Sequence, residues 1–400
     1  MIRKIMKKNC GRKMMAGLLA CALIFSCVGV KTARAANNWM PNITASSAVN
    51  NKKEILCIGN SMTFYNNTPF LLRKMTGSGV VVNYLTWSGQ SLYKHGEWIN
   101  KVLKSGGIYT NFKNSLTTQD KAALVKDGKA STFNEERAKK RFNWYASALF
   151  KDYTNETNTK QLTPISYDYV VLQDLTDNVK DTANFNSYIN NSSAALSRDY
   201  FKNTWKGGLC RDIYELRSNG ATHGATKYII NATYTSVKDK KLSAAETLQT
   251  KIDNQAEKMK NDLSSSFNVP GGKTYNLGSG DVKAAYTGDV VFSYLHNTKG
   301  NGITCTASNI SAMIRSDYKH PKYAASIMQA ATIYRVIFGK LPSYLTLTSV
   351  TPAFNLSDCL AADGTNHLPT SADYTFVKNN NATLYQYVQN YGTTTKAAWK

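Results

Sequence analysis

The chain has 400 residues, with 49 Lys and Arg against 26 Asp and Glu and a formal charge of +23. That length supports one large domain or two small ones, with enough core that disulfides are not required for folding. The charge fits attraction to polyanions, but the basic residues are scattered apart from short clusters such as Lys139-Lys140-Arg141 and Lys238 to Lys241. No nucleic-acid motif accompanies them, so nucleic acid is not an expected partner. A generally basic, solvated surface is expected, with affinity for a cell-wall polyanion as a secondary expectation.

Residues 1–13 carry Arg3, Lys4, Lys7, Lys8, Arg12 and Lys13 and no acid; Met14 to Val30 is almost wholly apolar, and Ala33-Arg34-Ala35 follows. A basic start, a short apolar core and an A-x-A site predict a secretory signal peptide over residues 1–35. The apolar run, about 17 residues, is at the lower edge for a spanning helix, so cleavage is expected rather than a retained transmembrane anchor. Leu18-Leu19-Ala20-Cys21 resembles a lipoprotein acylation site, but apolar sequence continues past Cys21, which makes lipidation the weaker reading. Cleavage would release a secreted chain of about 365 residues with a charge of about +15, because the removed segment holds eight Lys and Arg and no acid. Four cysteines would remain: Cys57, Cys210, Cys305 and Cys359. Export permits disulfides, and the spacing fits no zinc site. Cys57 lies in an apolar run and is expected in the core.

Residues 36–52 are polar and Asn/Ser-rich, as in a linker. Glu54 to Ile58, Val80 to Leu85, Tyr167 to Leu172 and Tyr228 to Ile230 are predicted strands. Between them, Phe70 to Met75, Trp98 to Leu103, Arg137 to Phe150 and residues 241–265 have helical character. Strands alternating with helices point to an α/β fold with a mainly parallel sheet over residues 53–345. Pro321 to Leu341 has apolar residues at three- and four-residue intervals, and Pro321 suits a first helical turn. Residues 346–400 form a C-terminal extension with a possible helix at Tyr374 to Tyr391 and no nameable chemistry.

Two segments carry chemistry. In Ile55-Leu56-Cys57-Ile58-Gly59-Asn60-Ser61-Met62-Thr63 a buried strand runs into Gly-x-Ser, which presents the serine at the carboxyl end of the sheet, where open α/β folds bind ligands; a helix-capping serine would fit the same pattern. In Asp317-Tyr318-Lys319-His320-Pro321 the carboxylate reaches one imidazole nitrogen if the segment turns tightly, leaving the other as a base; simple helix capping is the alternative. His95, His223, His296 and His367 show no partner spacing and read as structural or exposed. Trp87, Tyr93 and Trp98 lie near the crevice, where stacking on a sugar ring and core packing both fit.

The two segments in this order resemble the SGNH (GDSL-like) hydrolase family, and Ile58-Gly59-Asn60-Ser61-Met62-Thr63 is similar to the nucleophile block of a secreted bacterial branch. Gly89, in Trp87-Ser88-Gly89-Gln90-Ser91, matches the family's oxyanion glycine, and Asp168 to Gln173 resembles its third-block strand. The family's Gly-x-Asn-Asp is absent: the segment reads Gln173-Asp174-Leu175-Thr176-Asp177-Asn178. The resemblance covers roughly residues 53–342. It implies a three-layer α/β/α sandwich, flavodoxin-like, and a secreted esterase hydrolysing acetyl or similar acyl esters, on a small molecule or an extracellular glycan. Ser61 would be the nucleophile, His320 the base and Asp317 its orienting partner. The oxyanion would be held by the N–H groups of Ser61 and Gly89 and an amide from Gln173, at the strand end, or Asn178. No metal or organic cofactor is implied. An acyltransferase of the same fold and a catalytically degenerate glycan- or cell-wall-binding protein are the alternatives, the latter motivated by the altered third block.

Overall fold

The computed structural model describes residues 53–76, 79–126, 133–175, 204–237, 242–264, 266–269, 273–278, 280–298, 307–342 and 369–393. The expected signal peptide and linker, Asn178, Cys305, Cys359 and His367 lie outside them. Among the described residues no helix is long and apolar enough to cross a membrane.

The framework is a parallel sheet. Strands β1 (Lys53–Gly59), β2 (Val80–Thr86), β3 (Tyr167–Leu172) and β4 (Thr222–Asn231) pair with a short fifth strand of the same sheet, Val282–Ala285, in the spatial order β2-β1-β3-β4 and then Val282–Ala285. All four pairings are parallel. A separate antiparallel hairpin, β5 (Ser266–Val269) with β6 (Lys273–Asn276), precedes the fifth sheet strand, which is β7. The four predicted strands are present. The Tyr228–Ile230 segment is the buried end of a longer strand, and β7 was not predicted.

Helices cover both faces, giving the expected three-layer α/β/α sandwich. On one side lie α2 (Thr68–Thr76), which follows a single short turn α1 (Ser61–Phe64), and later helices described below. The other side carries α3 (Leu92–Ser105), the short α4 (Tyr109–Asn114) and α5 (Thr118–Lys126), α6 (Glu135–Leu149) and α7 (Trp205–Ser218). Because both sheet faces are covered, β1 reads as an unbroken apolar run. Ile55 and Cys57 point into one core cluster, while Leu56 and Ile58, alternating with them, face the other layer and are equally buried. Burial pushes the Cys57 thiol up to about 12, as befits a core residue. Cys57 and Cys210 are both buried.

Helices α8 (Leu242–Leu263), α9 (Thr287–Thr298), α10 (Ala307–Met313), α11 (Tyr323–Phe338) and α12 (Ser371–Asn390) complete the fold. The Ala/Ile-rich α11 is buried along nearly its whole length and ends at Gly339, whose φ of 69° is the left-handed cap glycine tolerates without strain. Pro321 is not in its first turn: it pairs with Ile314 in an isolated antiparallel bridge, and the helix begins after the cap residue Lys322. The extension assigned from residue 346 onward contains α12, which belongs to the same core. Val377, Leu384 and Val388 are buried with α9 and α11 side chains, Arg335 donates to the carbonyl oxygens of Val388 and Gln389, and Tyr286 N–H donates to Gly392.

Candidate active site

β1 occupies the sheet position where chain order reverses, between β2 and β3, so the residues after Gly59 emerge where open α/β sheets form a crevice. The chain turns there at once. Asn60, not Ser61, caps α1: its Oδ1 accepts from Met62 N–H at 3.1 Å. Ser61 is the first helical residue, so its N–H has no carbonyl four residues back to donate to, and its hydroxyl is free of capping duty.

Gly59 is a glycine because of what crosses it. Thr63 Oγ1 donates to Gln173 Oε1 at 2.8 Å directly over its Cα; a Cβ there would run into Thr63 Oγ1 and come within 2.7 Å of Gln173 Oε1. Gln173 Oε1 also accepts from Asn60 N–H at 3.0 Å, and its amide donates to the carbonyl of Asp174. The Gln173 side chain, 1% exposed, thus uses both ends of its amide to brace the Asn60–Ser61 turn against the end of β3. These contacts differ from the oxyanion contact expected of it.

The second half of the site is a closed loop. The Ile314–Pro321 bridge, with Arg315 N–H on His320 O at 2.9 Å and Lys322 N–H on Met313 O at 2.8 Å, pinches residues 315–320 into a tight excursion. Tyr318 takes a left-handed φ of 58°, and its carbonyl accepts from Val237 N–H at 2.9 Å and from Ser236 Oγ at 3.1 Å, which anchors the loop to the segment that follows β4. Asp317 Oδ1 accepts from the N–H groups of Lys319 and His320, both at 3.0 Å, and Oδ2 accepts from His320 Nδ1–H at 2.5 Å. The remaining nitrogen, Nε2, meets Ser61 Oγ at 2.8 Å, joining residues 259 apart in sequence. A Nδ1–H tautomer satisfies all of these contacts, with Ser61 O–H donating to Nε2.

Burial lowers the His320 pKa below the ordinary histidine value, with Lys319 and Arg315 adding to that and the Asp317 carboxylate opposing it. Burial acts to raise Asp317, but the hydrogen bonds from His320 and from the His320 and Lys319 N–H groups outweigh it, and the carboxyl lies below its usual range. The pair therefore rests as neutral imidazole and carboxylate near neutrality.

Neighbours that the sequence did not reveal hold this loop. Tyr65 stacks flat on the His320 ring, with centroids 4.1 Å apart and planes 6° from parallel, and the Arg315 guanidinium lies 4.9 Å from the Tyr65 ring centre. Asn66, at a left-handed φ of 54°, donates to Pro321 O at 3.0 Å and Ser326 Oγ at 2.9 Å. Nothing short of the folded arrangement signals these contacts, since the partners lie 250 or more residues apart.

Gly89 sits beside the site in a turn closed by Gln90 N–H on Trp87 O at 3.2 Å, where its φ of 62° calls for glycine. The turn is tied to the Gly59–Ser61 turn by Trp87 N–H on Gly59 O at 3.2 Å and by Asn60 Nδ2 on Gln90 O at 3.4 Å. Of the three aromatics near the crevice, Tyr93 and Trp98 are core residues, while Trp87 keeps some exposed surface. Among the described residues no group of three or more His, Cys, Asp and Glu is arranged to hold a metal ion.

No family model and no curated protein matches the chain. Among solved structures it is similar to a DUF4886 family protein from Bacteroides uniformis ATCC 8492, at 12% identity and a TM-score of 0.36, with 83% of this chain and 95% of that chain covered.

Proposed function

We propose that the protein is a secreted serine esterase of the SGNH type that hydrolyses acetyl or similar acyl esters, with an extracellular glycan as the favoured carrier. The observation that carries this proposal is the chain Asp317–His320–Ser61, at 2.5 and 2.8 Å, in which Ser61 and His320 meet across 259 residues of sequence. Ser61 Oγ attacks the acyl carbonyl while His320 Nε2 takes the hydroxyl proton. Collapse of the tetrahedral intermediate breaks the ester C–O bond, and the leaving alcohol departs with the proton from His320. Water, deprotonated by the same nitrogen, then attacks the acyl-serine; the acyl C–Oγ bond breaks, His320 returns the proton to Ser61 Oγ, and the acid is released. The N–H groups of Ser61 and Gly89 hold the oxyanion, each such donor being worth on the order of 10²–10³ in rate. Asp317 is 46% exposed, so water reaches the outer edge of the site. The signal-peptide pattern supports export.

Initial rates on p-nitrophenyl acetate and on acetylated sugars test this. Wild-type turnover that Ser61→Ala abolishes, with the fold intact, is expected. Retention of a tenth of the rate in Ser61→Ala removes Ser61 from the mechanism, and a folded wild type inert towards every ester favours the binding-protein alternative.

A further inference from the structure

His95 is fully buried on α3, and the chemistry above does not use it. Its Nε2 meets Gly59 O at 2.8 Å and its Nδ1 meets the Tyr145 hydroxyl at 2.7 Å. Since a carbonyl only accepts, Nε2 carries the proton and Nδ1 accepts from Tyr145 O–H. The Tyr145 oxygen in turn accepts from Gln90 Nε2 at 2.6 Å, and Gln90 Oε1 accepts from Arg141 Nη1 at 2.7 Å. Arg141, one helical turn before Tyr145 on α6, lays its guanidinium 3.6 Å from the centre of the Trp87 ring. Every member is buried, which makes an incomplete version of this chain costly.

The two ends of the chain reach the two backbone segments to which the oxyanion N–H groups are assigned. At one end, Gly59 O receives His95 Nε2–H as well as Trp87 N–H, and the N–H of the same peptide unit donates to Gln173. The peptide immediately before the Asn60–Ser61 unit is therefore fixed at its oxygen and at its nitrogen. At the other end, Gln90 and Trp87 flank Gly89 in the turn, and Arg141 grips both. We propose that His95, Tyr145, Gln90 and Arg141 form a positioning network that fixes the Ser61 and Gly89 N–H groups relative to each other, so that the oxyanion site is assembled before substrate arrives. This rests on the esterase proposal above. Burial, then the charge of Arg141, holds His95 down to about 3 against the opposing Gly59 contact, so the ring stays neutral across the working range and acts as a fixed donor rather than a second base.

Loss of the network should weaken transition-state binding and spare ground-state binding. The full-length chain is assayed on p-nitrophenyl acetate as wild type, Tyr145→Phe, His95→Leu and His95→Gln, each with its thermal melt. Tyr145→Phe removes one oxygen, and with it the hydrogen bonds to His95 and Gln90, in a nearly unchanged volume. It is expected to lower kcat about tenfold or more with KM within about twofold, on the scale of a misplaced oxyanion donor. His95→Leu is expected to do the same, and His95→Gln, whose amide can donate to Gly59 O, to recover most of kcat. A folded Tyr145→Phe with wild-type kcat overturns the inference, as does a Gln variant no better than a folded Leu variant. If His95→Leu does not fold, the Tyr145→Phe result decides alone. An inert wild type sinks the esterase proposal and this inference with it, whereas an active wild type with an unaffected Tyr145→Phe sinks this inference only.

Discussion

The ring of Tyr65 lies flat on the ring of His320, 4.1 Å between centroids, so one face of the imidazole is covered by a side chain only four residues beyond Ser61. The stack restricts imidazole rotation about the Asp317 hydrogen bond and shields it from water. Such aromatic pairs contribute about 0.5–1.5 kcal/mol. Tyr65→Ala is therefore expected to lower kcat roughly two- to tenfold, while Tyr65→Phe, which keeps the stack, stays near wild type. Steady-state kinetics on p-nitrophenyl acetate check this; a Tyr65→Ala enzyme equal to wild type would mean the stack is incidental.

The pH profile follows from the direction of the His320 shift. The base must be neutral, so activity is present above its folded pKa and is lost as pH falls through it. Burial, with Lys319 and Arg315, holds that pKa below the ordinary 6.5, so the acid limb of kcat/KM should have its midpoint below 6.5. Arg315→Gln removes one lowering charge and should move the midpoint upward. A wild-type midpoint at or above 6.5, or a downward move in Arg315→Gln, would contradict the electrostatic account.

Asn66 joins the nucleophile segment to the histidine loop from a left-handed backbone position. Asn66→Gly keeps the backbone and loses two buried hydrogen bonds, for about 1–3 kcal/mol. Asn66→Ala loses the same bonds and adds about 1 kcal/mol or more of backbone strain. Urea melts should rank Asn66 above Gly above Ala; Ala above Gly would show that the positive φ is not maintained.

Gln173 offers a separation of roles. As a brace it accepts from Asn60 N–H and Thr63 Oγ1, and its truncation takes this acceptor from two buried donors, about 1–3 kcal/mol for each. Gln173→Ala should therefore lower the melting temperature as well as kcat. A variant of wild-type stability with a 10²-fold lower kcat would instead return Gln173 to the oxyanion role the sequence resemblance implies.

Much of this architecture is legible in the sequence because it rests on local patterns. β1 announces itself as Ile55-Leu56-Cys57-Ile58, since a strand buried on both faces is apolar at every position. Ser61 and His320 stand out by their immediate neighbours. β7 does not, because Val282-Lys283-Ala284-Ala285 has little strand propensity and is held extended by pairing with β4. The first half of β4, Thr222 to Lys227, is polar because much of it is exposed. α3 starts at Leu92, six residues before the predicted Trp98, because His95 and Gly96 break the apolar pattern. Both are buried for other reasons: His95 joins the polar chain beneath Gly59, and Gly96 lets α7 approach so closely that a Cβ would meet Arg211 and Asp212. Contacts such as Tyr65 on His320 join distant elements and leave no spacing signature.

The most direct measurement of the central claim is covalent labelling of the full-length folded chain by a fluorophosphonate, read by intact mass and peptide mapping. Only an activated serine beside a neutral base and an oxyanion site reacts quickly. One adduct on Ser61 is expected in the wild type, none in Ser61→Ala, and much slower labelling in His320→Ala. A folded wild type that takes up no label, or a Ser61→Ala chain labelled as readily as the wild type, would contradict the assignment of Ser61 as the nucleophile.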